Sequence, residues 1–316
     1  MYREGQACTA IKGAAGKGWF TVGCFGSRRH TGKLSARRNG QAEESGYRGS
    51  VGLGLVCLDV DGTLVGHAGS PTEGVWRAAE VARTAGIHLA MCTARPAIGL
   101  AWEWASRLDP DGWHMFQTGA SIMHTGTRAT QSTPLPHGAA SACVAIATQN
   151  GWILECYSDG DYIVDDESDL ARAHASLMGL PFERRTLNSL SGEVVRVQFV
   201  VGNAALSAAE AAIPSGCVGS AATSPVMPGV NFLSVTHESV SKASGVLALA
   251  LLLGLNASQV MMVGDGQNDV SALEIVGHPV AMGNGHPDAK AVAEYVVADV
   301  ENDGVAEALA LAQTLN

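Results

Sequence analysis

Apolar runs alternate with longer, mixed segments over most of the chain after residue 50. The runs that predict buried strands cover residues 53–58, 87–92, 260–263, 279–282 and 295–297. Helices are predicted from about residue 72 to Gly86, from Pro96 onward, and over residues 246–253 with a stop at Gly254. This alternation predicts an α/β fold with a doubly wound, mainly parallel, Rossmann-like sheet.

The middle of the chain has a different pattern. Strand candidates at residues 152–156, 162–164 and 194–201 occur with Ala-rich segments at 139–149 and 204–212. We therefore expect an inserted α+β domain over residues 137–223, which divides the catalytic core into residues 51–136 and 224–316. Residues 215–227 are rich in Ser, Gly, Ala and Pro, and we expect them to form a linker that returns to the core.

Residues 1–50 are basic and show little periodicity. They hold nine Lys or Arg, three Glu and ten of the 38 glycines, with no apolar core of a signal peptide. We expect a disordered basic extension. Two alternatives stay open: a targeting presequence, or a start placed too far upstream, with the native protein beginning near Val51.

Composition and charge narrow the class of protein. A chain of 316 residues with 47% apolar residues predicts two domains and a substantial core. The net charge of −10, less the +6 of residues 1–50, leaves −16 for the rest, which disfavours a nucleic-acid partner. Seven scattered cysteines without a CxxC pair predict reduced thiols and a cytoplasmic location. The longest apolar run, residues 246–255, is about half of a bilayer span, so no membrane partner is expected.

Two acidic turns carry the strongest chemical signal. Asp59 and Asp61 follow the apolar run 53–58, and side chains two residues apart on a strand point the same way. A second turn, Gly-Asp-Gly-Gln-Asn-Asp at residues 264–269, follows another apolar run. Ligands of open α/β sheets bind at the carboxyl ends of the strands. Carboxylate oxygens suit Mg²⁺, so Asp59 and Asp265 are predicted to share that ion, with Asn268 and Asp269 supporting it.

Two further residues fit a phosphate site. Thr93 ends the run 87–92, where its hydroxyl would lie beside a helix N-terminus. Lys242 stands at the start of the last long apolar helix, and its ammonium group suits a phosphate. Each signal is weak alone, because Thr is a common N-cap and most lysines are simply solvated.

These pieces, taken in order, resemble one family. The order Asp-x-Asp-Gly-Thr-Leu, Thr, Lys, Gly-Asp-Gly-x-Asn-Asp is similar to that of the haloacid dehalogenase-like phosphohydrolases, from about residue 53 to the C terminus. The insertion between the Thr and the Lys is similar to the C2-type cap of the Cof-like phosphatases. Segments 117–122, 282–285 and 303–306 also look like those of the family. Departures are Ala94 and Ala243 in place of Gly, and Gln117-Thr118 in place of Asn.

The resemblance implies a role for each residue. Asp59 is the nucleophile that becomes phosphorylated, and Asp61 is the general acid and then the base. Thr93, Ala94 and Lys242 bind the phosphoryl group. Mg²⁺ is held by Asp59, the backbone carbonyl of Asp61, and Asp265. The cap selects the substrate, and its candidate residues are Glu155, Tyr157, Asp159, Asp161, His174, Arg184 and Arg185, of which Arg184 and Arg185 best suit a second anionic group.

The predicted function is a Mg²⁺-dependent phosphatase that acts on a small phosphorylated metabolite, expected to be a sugar phosphate. A phosphomutase or phosphotransferase of the same superfamily is one alternative, because it would share the aspartyl-phosphate. A non-catalytic metabolite-binding regulator is another, although both Asp59 and Asp61 are present. His67, His88 and His114 lack the spacing of a metal site. The oligomeric state is not predicted.

Overall fold

The computed structural model describes residues 52–224 and 226–316, so the predicted extension over residues 1–50 lies outside the described residues. Strands within these residues are β1 Leu55–Leu58, β2 His88–Met91, β3 Trp113–Phe116, β4 Ser121–His124, β5 Thr130–Ser132, β6 Ile153–Tyr157, β7 Tyr162–Val164, β8 Arg196–Gly202, β9 Cys217–Ser224, β10 Met227–His237, β11 Val260–Gly264, β12 His278–Ala281 and β13 Tyr295–Val296. The helices are α1 Glu73–Thr84, α2 Gly99–Leu108, α3 Ala139–Asn150, α4 Asp169–Leu177, α5 Leu206–Ala211, α6 Lys242–Leu252, α7 Val270–Leu273, α8 Pro287–Val292 and α9 Gly304–Leu315. None of the helices in this part of the chain has the length and apolarity that a bilayer crossing requires.

The central sheet is parallel and has the order β13-β12-β11-β1-β2. The chain runs from β1 to β2 on one side and later returns to β11 on the other side of β1. The winding therefore reverses between β1 and β11, which is where doubly wound sheets bind ligands. The predicted α/β fold and mainly parallel sheet are confirmed.

Helices cover both faces of the central sheet. The residues of β1 show this, since they alternate between two buried clusters, one on each face. Val56 and Leu58 pack with residues of α1, α2 and α9. Leu55 and Cys57 pack on the other face with residues of α6 and α7. All four residues are fully buried, as expected for a strand that is covered on both faces.

A second sheet is antiparallel throughout and has the order β7-β6-β8-β10-β9. We call it, with α3, α4 and α5, the cap. Helices α3 and α5 pack against one face, which carries Leu154 and Cys156. Glu155 alternates with them and therefore belongs to the opposite face, where α4 packs.

Two expectations about the end of the insertion are wrong. Residues 215–227 do not form a linker, because Cys217–Ser224 is the edge strand β9 of the cap sheet. The same sheet also includes β10, so it extends to His237, beyond residue 223 where the insertion was expected to end. The small residues of β9 resemble a loop in the sequence, because most side chains of this edge strand are exposed and do not form an apolar run.

A small antiparallel sheet, β3-β4-β5, adjoins the edge of the central sheet through a bridge between Cys92 and Met115. His114 of β3 is fully buried at this junction. Its Nδ1 accepts a hydrogen bond from the Met91 N–H (3.1 Å), and its Nε2 lies 3.0 Å from the Asp109 carbonyl oxygen. The neutral imidazole with hydrogen on Nε2 satisfies both partners. His114 is thus a structural residue.

Candidate active site

Asp59 and Asp265 lie at the ends of two neighbouring parallel strands. β1 and β11 pair with Leu58 beside Val263, and the Asp59 N–H donates to the Val263 carbonyl (3.0 Å). Carboxylate oxygens of Asp59, Asp265 and Asp269 all lie within 4.8 Å of one another. The two acidic turns therefore converge, as the sequence predicted, at the point where the winding of the sheet reverses.

Lys242 lies inside this carboxylate group. It is the first residue of α6, whose N-terminus is closed by reciprocal hydrogen bonds between Ser241 and Ser244. Its side chain is fully buried, and Nζ donates to Asp59 Oδ1 (2.6 Å) and to Asp269 Oδ1. Burial opposes the charge, but Asp59 and Asp269 together raise the pKa of Lys242 above its usual value.

Asp269 holds the second turn in shape. Its Oδ2 accepts hydrogen bonds from the backbone N–H groups of Asp265 (3.1 Å) and Gly266 (2.8 Å), while its Oδ1 accepts from Lys242. Asp269 is completely buried, whereas Asn268 is exposed. The geometry therefore makes Asp269 an anchor that orients Asp265. Asn268 lies at the exposed side of the second acidic turn, with its Oδ1 close to Gly266.

The charge of the group fits a divalent cation. Burial raises the pKa of Asp59 well above its usual range, and Asp269 raises it further against the opposing effect of Lys242. Burial also raises the pKa of Asp265, although a hydrogen bond from Thr63 Oγ1 (3.0 Å) lowers it. Three carboxylates thus surround one ammonium group. Mg²⁺ accepts carboxylate oxygens as ligands, and a divalent cation here would favour the charged forms that burial opposes.

Asp61 is separate from the buried group. Its side chain is 59% exposed and forms a two-point ion pair with Arg95, with Nε to Oδ2 at 3.0 Å and Nη2 to Oδ1 at 2.5 Å. The Asp61 carboxylate thus lies at the solvent-exposed side of the site, in contact with Arg95. Arg95 was missed by the sequence analysis, although it stands only two residues after Thr93.

Thr93 and Ala94 form a short loop at the end of β2. Thr93 is buried, and its Oγ1 accepts the Arg95 N–H (3.1 Å). The Ala94 carbonyl accepts a hydrogen bond from Nη1 of Arg196, a cap residue (2.9 Å). Hydrogen bonds within the core and from the cap thus fix the position of the loop. Arg196 is a second residue that the sequence analysis missed.

The sequence of the chain matches a known family. The model of the haloacid dehalogenase-like hydrolases matches residues 56–309, which includes both acidic turns, Thr93 and Lys242. The chain belongs to the haloacid dehalogenase-like hydrolases. It is therefore an enzyme of that family, and the resemblance noted in the motifs is confirmed.

Individual members of the family cover most of the chain. A protein of Streptococcus pyogenes serotype M6, named "Putative phosphatase", is 26% identical over 266 residues, which are 82% of this chain and 98% of that protein. A haloacid dehalogenase-like hydrolase from Bacteroides thetaiotaomicron has a similar fold, with a TM-score of 0.73 at 22% identity over 82% of this chain and 99% of that one. A subclass IIB sugar phosphatase has a TM-score of 0.69 at 21% identity, over 82% of this chain and 98% of that one.

Two of the predicted specificity residues are not at this site of the hydrolase. Arg184 pairs with Asp165 (2.7 Å) and borders a cavity that Asp61 and Arg95 do not line. Arg185 forms a two-point ion pair with Asp161. The hydrogen bonds from Arg185 lower the pKa of Asp161 to about 2. Each of these guanidinium groups already has a carboxylate partner within the cap, so the expectation that they bind a substrate anion loses its support.

Gln117 is a third residue that the sequence analysis did not place in the site. Its backbone N–H donates to the Arg95 carbonyl (3.0 Å), and its Nε2 donates to the Ser158 carbonyl of the cap (2.9 Å). Gln117 and Thr118 have positive φ angles of 53° and 61°, which side chains with a Cβ rarely adopt. The departure from the family pattern at these positions was visible in the sequence, but its contacts were not.

Proposed function

We propose that this hydrolase is a Mg²⁺-dependent phosphatase that hydrolyses a small phosphorylated metabolite, a sugar phosphate, through a phosphorylated Asp59. The observation that carries the proposal is the convergence of Asp59, Asp265 and Lys242 at the ends of β1 and β11. The names of the relatives, which include a phosphatase and a sugar phosphatase, support the same reaction.

The residues present fit a Mg²⁺ ion. Asp59, Asp265 and the backbone carbonyl of Asp61 would hold it, with Asp269 and Asn268 orienting the second turn. When bound, the ion would reduce the repulsion between the carboxylates and the phosphate.

The protein's own groups perform the two steps. In the first, Asp59 forms a bond to phosphorus as the bond to the leaving oxygen breaks, and Asp61 gives that oxygen a proton. In the second, Asp61 takes a proton from water, which attacks phosphorus and frees Asp59. Thr93, the Ala94 backbone and Lys242 bind the phosphoryl oxygens. A covalent intermediate divides one difficult hydrolysis into two easier steps.

Phosphate release from phosphorylated metabolites tests this proposal. We expect Mg²⁺-dependent turnover of several hexose or pentose phosphates, and loss of turnover when a chelator is added. Asp59→Asn removes the nucleophile and is expected to abolish release. Asp111→Asn is the matched control, because Asp111 precedes β3, is 86% exposed and has Nε2 of His124 as its neighbour (3.8 Å). Turnover that survives chelation, or an active Asp59→Asn variant, would contradict the proposal.

The proposal places the enzyme in the cytoplasm. Five cysteines of the described residues are free thiols, namely Cys57, Cys92, Cys143, Cys156 and Cys217, which is consistent with a reducing compartment. Fractionation of the native cells with an antibody to the chain would test this location.

A further inference from the structure

A cavity of about 310 Å³ lies between the cap and the core, beside Asp61. Ala94 and Arg95 border it from the core, and residues of α4, β8, β9 and β10 border it from the cap. Its volume is at the lower end of the range for small-molecule sites. If Asp61 protonates the leaving oxygen, as the proposed function requires, the rest of the substrate occupies this cavity. The inference below rests on that function.

His174 is a buried residue of α4 that borders the cavity. Its Nδ1 lies 2.7 Å from Oε1 of Glu155, and its ring stacks on Phe232 with the ring centroids 4.4 Å apart. These two contacts fix the position of the imidazole. Both the carboxylate of Glu155 and the ring of Phe232 therefore set its orientation at the cavity wall.

Glu155 also sets which nitrogen of His174 carries hydrogen. Glu155 is completely buried, and its Oε2 already accepts hydrogen bonds from Tyr157 Oη (2.8 Å) and Gln198 Nε2 (2.8 Å). Its Oε1 is an acceptor, so His174 Nδ1 must be the donor. In the neutral ring Nε2 then has a lone pair and acts as an acceptor.

The Nε2 atom of His174 is available to a ligand. Within residues 52–224 and 226–316 it makes no hydrogen bond, and it is not among the side-chain atoms that are buried without a partner. It therefore remains open to solvent at the cavity. A fixed acceptor at this place matches a hydroxyl group, which can donate a hydrogen bond to it.

We propose that His174, held by Glu155, is a specificity-determining residue that accepts a hydrogen bond from a hydroxyl group of the leaving group. The rival anchor on the same wall is Arg196. Its Nη1 donates to Ala94, Gln198 and Ser234, and its Nε is buried without a partner. Arg196 would instead favour a leaving group with a carboxylate, and the experiment separates the two.

The test compares two kinds of leaving group in matched variants. The hydroxyl-bearing probe is whichever of glucose 6-phosphate, ribose 5-phosphate and glycerol 3-phosphate the wild type hydrolyses fastest. The second probe is p-nitrophenyl phosphate, whose leaving group has no other hydroxyl. His174→Phe keeps an aromatic ring beside Phe232, and His174→Gln restores an acceptor. His137→Phe is the control, because His137 is exposed and does not border the cavity.

We expect His174→Phe to lower kcat/KM for the hydroxyl-bearing probe by about ten- to a hundredfold and to leave p-nitrophenyl phosphate within about threefold. His174→Gln should recover part of the loss, and His137→Phe should change neither probe. Equal losses for both probes in His174→Phe, or no loss for either, would overturn the inference. So would a preference for 3-phosphoglycerate that Arg196→Met removes and His174→Phe does not.

An NMR measurement keeps the inference testable if His174→Phe does not fold. The ¹⁵N shifts of the wild type at neutral pH should show His174 with hydrogen on Nδ1 and none on Nε2. The Nε2–H tautomer, or a ring with hydrogen on both nitrogens, would overturn the inference. Failure of the proposed function gives a different result, since the wild type would then release no phosphate from any probe with Mg²⁺ present.

Discussion

A single methyl group at Gly62 should displace Asp265 and inactivate the enzyme. A Cβ at Gly62 would lie 2.8 Å from Asp265 Cγ and closer still to Oδ2, so the carboxylate would have to move. Gly69 is a matched control in the same loop, because its Cβ would meet nothing within 4 Å. The φ angles are similar, 85° at Gly62 and 73° at Gly69, so both substitutions place Ala in the same strained region.

The two glycine variants share the same cost of backbone strain but should differ in activity. The positive φ destabilises Ala by about 1–2 kcal/mol, and the smaller entropy of its unfolded chain offsets about 0.4–1 kcal/mol. A net loss of about 1 kcal/mol is therefore expected for Gly69→Ala in urea unfolding, and at least that loss for Gly62→Ala, whose Cβ also displaces Asp265. A displacement of about 1 Å at a reacting group lowers turnover by about a hundredfold, so Gly62→Ala should lose at least that much kcat.

Turnover of p-nitrophenyl phosphate with Mg²⁺ measures the difference between the two variants. Gly69→Ala should retain nearly the wild-type kcat. If Gly62→Ala were as active as Gly69→Ala, the placement of Asp265 beside Gly62 would not matter for the reaction, and our reasoning about the site would be refuted.

Three more predictions concern the segment from His114 to Gly119. Gly119→Ala would bring a Cβ to 2.5 Å from the Ser241 carbonyl at the start of α6, and should lower stability by about 1–3 kcal/mol in urea and reduce kcat. Thr118→Asn should raise the free energy of unfolding by about 1 kcal/mol in urea, because Asn tolerates positive φ better than Thr. An unchanged free energy of unfolding would show that the backbone of Thr118 is not strained. Burial lowers the pKa of His114 to about 4 from 6.5, so the unfolded chain binds the proton first as pH falls. Up to about 3 kcal/mol of stability should be lost between about pH 6.5 and 4, and His114→Asn should remove that part of the pH dependence.

The middle of the central sheet was predictable because its strands are short apolar runs that are covered on both faces. β1 and β11 are examples in which every residue is buried. Strand β9 was not predictable in the same way. Most of its residues are small and exposed, and its place in the sheet depends on hydrogen bonds to β10, which no local pattern in the sequence encodes.

The site divides in the same manner. The convergence of Asp59 and Asp265 followed from the rule that parallel strands end at one edge, together with a turn motif at each strand end. The ion pair of Arg95 with Asp61 and the contact of Arg196 with Ala94 depend on how distant segments pack. The sequence pattern predicted that the two acidic turns converge, whereas the contacts that hold them in place required the structure.

Direct detection of the phosphorylated enzyme tests the central claim. Asp61→Asn should slow the second step, whereas p-nitrophenolate needs little help from an acid in the first. We would mix this variant with Mg²⁺ and p-nitrophenyl phosphate, quench the reaction in acid, and map the peptides by mass spectrometry. The account predicts a phosphoryl group on Asp59 and none in the Asp59→Asn protein. A phosphoryl group on another residue, or wild-type turnover with none detected on Asp59, would contradict it.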